Sequence, residues 1–179
     1  SLAKKVRRII TGLGTGSHLE HWGISPAKIT ELDWWETFTG TEGFHFTAAP
    51  ARHFSGRGFK SNQHLWISLV LETGTRRFYL GGDSGYDSHF KKIGEKFGGF
   101  DLAILECGQY HPYWKYIHML PEETALAADD LNAKKFIPVH WGKFRLSLHD
   151  WDEPVKRVKA AKSVSEMLVP ENGKVVHLT

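Results

Sequence analysis

Apolar and polar positions follow two periodicities along the chain, one typical of strands and one typical of helices. Short runs rich in β-branched and aromatic residues predict strands at residues 6–10, 29–36, 44–50, 64–72, 76–80, 101–105, 136–139 and 174–178. Helical spacing predicts helices at residues 18–22, 86–97, 121–132 and 152–161, with a further turn beginning at Pro26.

The order of these elements indicates the fold class. The runs at 64–72 and 76–80 flank Thr73-Gly74-Thr75, which is a hairpin pattern. Beyond the hairpin, strands alternate with helices, and neither repeats nor a low-complexity linker interrupts the 179 residues. The sequence therefore predicts a single α/β domain.

Three of the apolar runs are each followed by a side chain that can bind a metal ion. The run 44–50 leads to His53, the run 77–82 leads to Asp83, and the run 135–139 leads to His140. Strand ends present side chains to a common cleft, and two histidines with one carboxylate suit a divalent ion such as zinc. Three ligands are too few for two metal ions.

Composition narrows the class of partner. The chain carries 11 His, a single Cys and a formal net charge of +3, and its basic residues are scattered. No dense cationic stripe is present, so we expect no nucleic-acid partner.

The cysteine content and hydropathy bear on the compartment. The lone Cys107 excludes an internal disulfide and a cysteine-based zinc module, and it fits a reducing compartment. No apolar run approaches the ~20 residues of a membrane span. We expect a cytoplasmic location.

A glycine loop leaves a nucleotide-binding alternative open. Gly12-Leu13-Gly14-Thr15-Gly16 follows a predicted strand, and Glu31 or Asp33 lies downstream, as in the outline of a dinucleotide-binding turn. The third glycine of that fingerprint is replaced by Ser17.

The segment Gly82-Asp83-Ser84-Gly85 permits several interpretations. Ser84 as a nucleophile would need a base, an orienting acid and, for a chymotrypsin-type protein, an all-β chain, so we disfavour it. Asp83 is equally compatible with a ligand and with a cap of the helix expected near Tyr86.

Other polar residues also have two readings. The loop that carries Arg52, His53 and Arg57 could bind an anion or could be solvated. His140 could be a hydrogen-bonded structural residue. His118 could be packed neutral or could touch substrate.

Taken together, these segments resemble a known family. The chain resembles the C-terminal half of metallo-β-lactamase-fold hydrolases, in the N-acyl-phosphatidylethanolamine-hydrolysing phospholipase D-like branch, with ascorbate-6-phosphate lactonase-like proteins next. The resemblance extends from about Val6 to about Trp151. It is carried by ELDWWE (31–36), PARH (50–53), GDSGY (82–86), IG (93–94), FGGFDLA (97–103), HMLPEE (118–123) and HWGKF (140–144).

The resemblance implies a dinuclear zinc hydrolase, with manganese or iron as alternative metals. It implies that His53 binds the first metal, Asp83 bridges both, His140 binds the second, and His118 acts near the substrate phosphate or leaving group. In this family a hydroxide held between the metals attacks a phosphodiester or ester. We expect catalytic roles for Asp83 and His118, and substrate contacts from Arg52, Arg57, His118 and Trp141. A phospholipid-like phosphodiester is the expected substrate class.

One family motif is missing. The His-x-His-x-Asp-His string of the family's first half, which supplies four further ligands, does not occur in residues 1–179. We therefore expect a partial domain: the C-terminal half of an αββα sandwich, a mixed sheet with flanking helices, inactive alone. Its exposed face would favour homo-oligomers. A metal-free binding or scaffold protein of the same fold is the alternative.

Overall fold

The computed structural model describes residues 2–56, 61–144 and 147–178. Its strands are β1 (Ile9–Gly12), β2 (Ile29–Leu32), β3 (Thr37–Thr39), β4 (Phe44–Pro50), β5 (Ile67–Thr73), β6 (Arg76–Leu80), β7 (Phe100–Glu106), β8 (Ala133–Val139) and β9 (Glu166–Met167). Its α-helices are α1 (Leu2–Lys5), α2 (Gly16–His21), α3 (His89–Phe97), α4 (Pro121–Asp130) and α5 (Glu153–Ala160). Short 3₁₀ turns lie at Pro26–Lys28, Thr41–Gly43 and Pro112–Trp114.

The main sheet is mixed, in the order β3-β4-β5-β6-β7-β8-β9, and β1 and β2 form a separate parallel pair. β4, β5 and β6 are antiparallel neighbours, whereas β6, β7 and β8 are parallel. β4, β6, β7 and β8 consequently run in the same direction, and their carboxyl ends lie at one edge of the sheet. The α/β prediction and the mixed sheet with flanking helices are confirmed.

The two faces of this sheet differ in burial. One cross-strand row on the helix-covered face is buried to 0–1% exposure: Val70, Tyr79, Ala103 and Phe136. The adjacent row points to the opposite face and is only half-buried: Leu69, Leu80, Ile104 and Ile137. We call this second row the open-face row. An apolar row of this kind is typical of a sheet that packs against a further layer.

The end of helix α3 at Phe97 follows from its sequence. Phe90 and Ile93 lie on its buried face, and Gly98 adopts the left-handed conformation (φ 72°) with its N–H donating to the Gly94 carbonyl. Glycine accepts this conformation without a Cβ penalty, so the predicted stop is confirmed.

The hairpin prediction is also confirmed, with β5 and β6 joined at Gly74. The first predicted strand is observed as β1, which begins three residues later than expected, and Lys28 Nζ donates to the carbonyls of Ala3 and Val6 just before it. The predicted strand at 174–178 is wrong. The place beside β8 is taken by β9, and Val175 is 78% exposed.

Gly94 sets the distance between α3 and α4. A Cβ at this position would lie 2.2 Å from the Asp130 carbonyl oxygen and 2.9 Å from the Leu131 Cα. Both are backbone atoms, which cannot move aside as a flexible side chain would. The close approach therefore depends on glycine at position 94.

His89, the first residue of α3, is held neutral by its surroundings. Burial lowers the pKa of its imidazole to about 4, and the attraction of the Asp87 carboxylate acts in the opposite direction. Its Nε2 lies 3.4 Å from the Ser84 hydroxyl, so this histidine also supports the segment that carries Asp83.

Replacing Gly94 by alanine should destabilise the fold. We expect Gly94→Ala to lower the free energy of unfolding by about 1–3 kcal/mol, the usual cost of overpacking, despite alanine's better helix propensity. Glu95→Ala, exposed on the same helix, should stay within about 0.5 kcal/mol of the wild type. Urea unfolding of the three proteins measures this, and equal stabilities for Gly94→Ala and wild type would contradict the close helix contact.

Acidification should destabilise the chain partly through His89. Its folded pKa lies below the unfolded value of about 6.5, so the unfolded state takes up the proton first. The stability contribution is complete above about pH 6.5 and is lost as the pH falls towards 4. His89→Gln should show a shallower loss of Tm between pH 7 and pH 5 than the wild type. Parallel Tm profiles would show that His89 does not titrate as described.

Candidate active site

The predicted ligand-type residues lie together at the carboxyl edge of the main sheet. His53 follows β4, Asp83 follows β6 and His140 directly follows β8. His140 Nε2 is 3.8 Å from Asp83 Oδ2. The ring of His118 lies near both other imidazoles, with its centroid 5.2 Å from that of His53 and 5.5 Å from that of His140. We call His53, Asp83, His118 and His140 the edge cluster.

Two hydrogen bonds join the loops that carry His53 and Asp83. The Ser84 hydroxyl accepts the Arg52 N–H at 3.0 Å, and the Gly85 N–H donates to the Arg52 carbonyl at 2.7 Å. Gly85 has no room for a side chain, since a Cβ there would lie 2.4 Å from the Tyr116 carbonyl carbon. Ser84 is 1% exposed and its hydroxyl is engaged, so it is a structural residue and not a nucleophile.

The helix-cap interpretation of Asp83 is wrong. Helix α3 begins six residues later, at His89, and its N-cap position is Ser88. Asp87, not Asp83, accepts the Ser88 N–H at the start of that helix. The Asp83 side chain is 40% exposed and faces His140 instead.

His53 is held with one ring nitrogen free for a ligand. Its Nδ1 lies 2.8 Å from the Ile117 carbonyl oxygen, which can only accept, so Nδ1 carries the proton. The other nitrogen, Nε2, is then unprotonated. Metal-binding histidines are typically held in this way by a backbone carbonyl or a carboxylate. Burial lowers the pKa of His53, against the opposing effect of the bond to Ile117, and so favours the neutral ring.

His140 occupies a strained position at the end of β8. Its φ is 65°, in the left-handed region that non-glycine residues seldom adopt. Gly108 makes room for it, because a Cβ at position 108 would lie 2.0 Å from the His140 carbonyl oxygen. Strain of this kind is typical of functional sites, where the surrounding structure holds the residue in place.

Glu106 is a site residue that the sequence analysis missed. It ends β7, is fully buried, and accepts the Met119 N–H through Oε1 at 2.6 Å. The same oxygen lies 3.4 Å from His118 Nδ1. The sequence did contain a signal for Glu106, because it ends an apolar run, and the same pattern identified Asp83 and His140.

Burial shifts the pKa values of both the Glu106 carboxyl and the His118 imidazole. It raises the pKa of the Glu106 carboxyl well above its usual range, and the nearby Asp83 raises it further, although the Met119 N–H opposes this. Burial also lowers the pKa of His118, against the attraction of Asp83. The neutral forms of both groups are therefore favoured.

Of the three residues outside the cluster that are expected to contact substrate, Arg52 and Trp141 make other contacts in the described structure. Arg52 Nη1 lies 2.6 Å from Asp87 Oδ2, and its guanidinium stacks on the Tyr116 ring at 4.3 Å. Trp141 is half-buried, packs against the core and donates its indole N–H to the Pro138 carbonyl. Arg57 lies outside the described residues. Their roles in substrate binding stay predictions.

The glycine loop at the end of β1 does not favour a nucleotide. The Gly16 N–H, at the start of α2, donates to the Glu31 carboxylate at 2.7 Å. A phosphate at this position would have to displace that carboxylate and would meet its negative charge.

The edge cluster matches a metal site in its donor types but not in its grouping. Its donors, three imidazoles and a carboxylate, match the chemistry that zinc accepts, and His53 offers an unprotonated nitrogen. Across residues 2–56, 61–144 and 147–178, however, no three His, Cys, Asp or Glu side chains are grouped closely enough to hold an ion. The fit is one of donor type and direction, not of a complete ligand set.

Hydropathy adds one further finding. In the part of the chain that the structure describes, no helix is long and apolar enough to cross a membrane.

Comparison with known proteins identifies the family of this chain. Residues 1–141 match the family described as the Beta-lactamase superfamily domain. An uncharacterized protein of Mycobacterium tuberculosis is 42% identical over 160 residues, which cover 88% of this chain and 43% of that protein. The mitochondrial N-acyl-phosphatidylethanolamine-hydrolyzing phospholipase D of Saccharomyces cerevisiae is 40% identical over 141 residues, covering 74% of this chain and 30% of the enzyme. The chain thus spans less than half the length of these two relatives.

The fold is shared with solved structures. Igni18, a metallo hydrolase from the archaeon Ignicoccus hospitalis, superposes with a TM-score of 0.73 at 20% identity, covering 94% of this chain and 67% of that one.

The family match over residues 1–141 confirms the expected family. This chain belongs to the metallo-β-lactamase-fold hydrolases, in their N-acyl-phosphatidylethanolamine phospholipase D-like branch.

Proposed function

We propose that this chain carries part of the active site of a zinc-dependent phosphodiesterase of the phospholipase D type, with His53, Asp83 and His140 among the metal ligands. The observation that supports it is their convergence at one sheet edge, with His140 Nε2 3.8 Å from Asp83 Oδ2 and His53 held by Ile117. Asp83 is suited to bridge two ions because a carboxylate has two oxygens.

Each protein group has a distinct part in the proposed reaction. Two zinc ions would lower the pKa of a water molecule and stabilise charge on the attacking and leaving oxygens. His118, whose side chain is 13% exposed, has its ring centroid 5.2 Å from that of His53 and 5.5 Å from that of His140, a position from which it could act near the substrate phosphate or leaving group. Arg52 is paired with Asp87, so binding of an anion to its guanidinium would compete with that ion pair.

We further propose that the remaining ligands lie outside residues 1–179, so that this chain is a partial domain. Zinc takes about four ligands per ion, and the edge cluster has too few ligands for two ions. The half-buried open-face row supports the proposal, because a second layer of the sandwich would cover it. Without that layer, the same row would favour self-association.

The substrate class is proposed from the relatives. The yeast relative is a phospholipase D that hydrolyses N-acyl-phosphatidylethanolamine, as its name states. A phospholipid-like phosphodiester is therefore our first candidate, and zinc our first candidate metal.

The single buried Cys107 supports a reducing compartment such as the cytoplasm.

A metal-free binding or scaffold protein of the same fold is the second candidate. It is favoured by one observation, the lack of a three-residue metal group among the described residues. The two candidates differ in zinc content.

The polypeptide extended by its upstream coding sequence should bind zinc where the 179 residues alone do not. Elemental analysis after dialysis should give about two zinc ions per extended polypeptide and less than one for the isolated chain. The upstream sequence should encode the His-x-His-x-Asp-His string. Extended protein that stays metal-free in excess zinc would favour the scaffold function.

Asp83→Ala in the extended protein should abolish hydrolysis of a phospholipid-like phosphodiester, because both ions lose a shared ligand. The fold should persist, since the Asp83 side chain is 40% exposed. Asp152→Ala is the matched control, as it removes a carboxylate that pairs with Lys156 on helix α5. We expect Asp152→Ala to retain near-wild-type kcat/KM. Near-normal turnover by Asp83→Ala would refute the bridging role.

A further inference from the structure

Glu106 lies beneath His118 and is fixed at both its backbone and its side chain. Its Oε1 accepts the Met119 N–H at 2.6 Å, and its backbone carbonyl accepts the Thr124 hydroxyl at 2.9 Å. The residue is 0% exposed. A rigid carboxyl group therefore faces the segment that carries His118.

Two buried polar atoms at this contact have no hydrogen-bond partner within the described residues: His118 Nδ1 and Glu106 Oε2. His118 Nδ1 is 3.4 Å from Glu106 Oε1, within reach of a hydrogen bond but not aligned for one. A small rotation of the imidazole would close this contact. Buried donors rarely stay unpaired, which favours the closed arrangement.

We propose that Glu106 is a positioning residue for His118, whose Nδ1–H it accepts through Oε1, so that His118 Nε2 stays unprotonated. Oε1 is the accepting oxygen because it already accepts the Met119 N–H. The carboxyl proton, when present, then belongs on Oε2. The direction of the bond is the same for the charged and the neutral carboxyl.

The arrangement repeats that of His53. There Nδ1–H donates to the Ile117 carbonyl and leaves Nε2 free. With Glu106 in the same role, both neighbouring imidazoles have an unprotonated Nε2, which can accept a proton or bind a cation. The value of this for hydrolysis rests on the proposed function, whereas the tautomer itself does not.

The tautomer can be read from ¹⁵N chemical shifts of the histidine rings in the chelator-treated 179-residue chain. Protonated and unprotonated ring nitrogens differ widely in shift, and His118→Gln assigns the signals among the 11 histidines. We expect Nδ1 of His118 to be protonated and Nε2 to be unprotonated. A protonated Nε2 in the wild type would overturn the proposal without any further variant.

Two variants of Glu106 separate positioning from packing. Glu106→Gln keeps an oxygen that can accept from both Met119 and His118, so the tautomer should be retained. Glu106→Leu removes the acceptor while keeping similar volume, so the Nδ1–H signal of His118 should be lost in favour of Nε2–H.

Glu123→Leu is the matched control, since Glu123 Oε2 holds the same segment through the Leu120 N–H at 2.8 Å. It should leave the His118 tautomer unchanged. An unchanged tautomer in Glu106→Leu, or an equal change in Glu123→Leu, would contradict the assigned role. If the tautomer behaves as expected while the extended protein hydrolyses no phosphodiester, the proposed function fails and the positioning role stands.

Discussion

The direction of four strands is the constraint on which the site depends. β4, β6, β7 and β8 all end at the same edge of the sheet, although β4 is separated from β6 by an antiparallel neighbour. Residues far apart in sequence thus follow strand ends that lie at one edge of the sheet. The row Val70, Tyr79, Ala103 and Phe136, buried under the helices, fixes the register that sets this alignment.

Further local contacts orient the side chains that the strands have placed at this edge. Ile117 holds His53, Ser84 and Arg52 join two loops, and Gly108 leaves room for the strained backbone of His140. These contacts are made by buried or backbone groups, so the protein itself holds His53, His140 and the loop of Asp83 in place. Preorganisation of imidazoles in a defined tautomer is what a hydrolytic site needs.

Much of the fold and part of the site follow from local sequence. His53, Asp83 and His140 are predictable because each follows an apolar run, a pattern confined to a few residues. Glu106 fits the same pattern but was missed, because its significance depends on His118, twelve residues further along the chain. The strand expected at 174–178 failed for a similar reason. Its pair of valines fits a strand, but Glu166–Met167 occupies the edge of the sheet, and a local sequence pattern does not show which segment will pair there.

The proposed role of His53, Asp83 and His140 is to bind shared zinc ions in the extended protein. Anomalous diffraction at the zinc edge from crystals of that protein tests it most directly. The account predicts two peaks within coordinating distance of these three side chains, about 2.0–2.2 Å from their nitrogen and oxygen atoms. Zinc peaks held only by other residues, with His53, Asp83 and His140 free of metal, would contradict it.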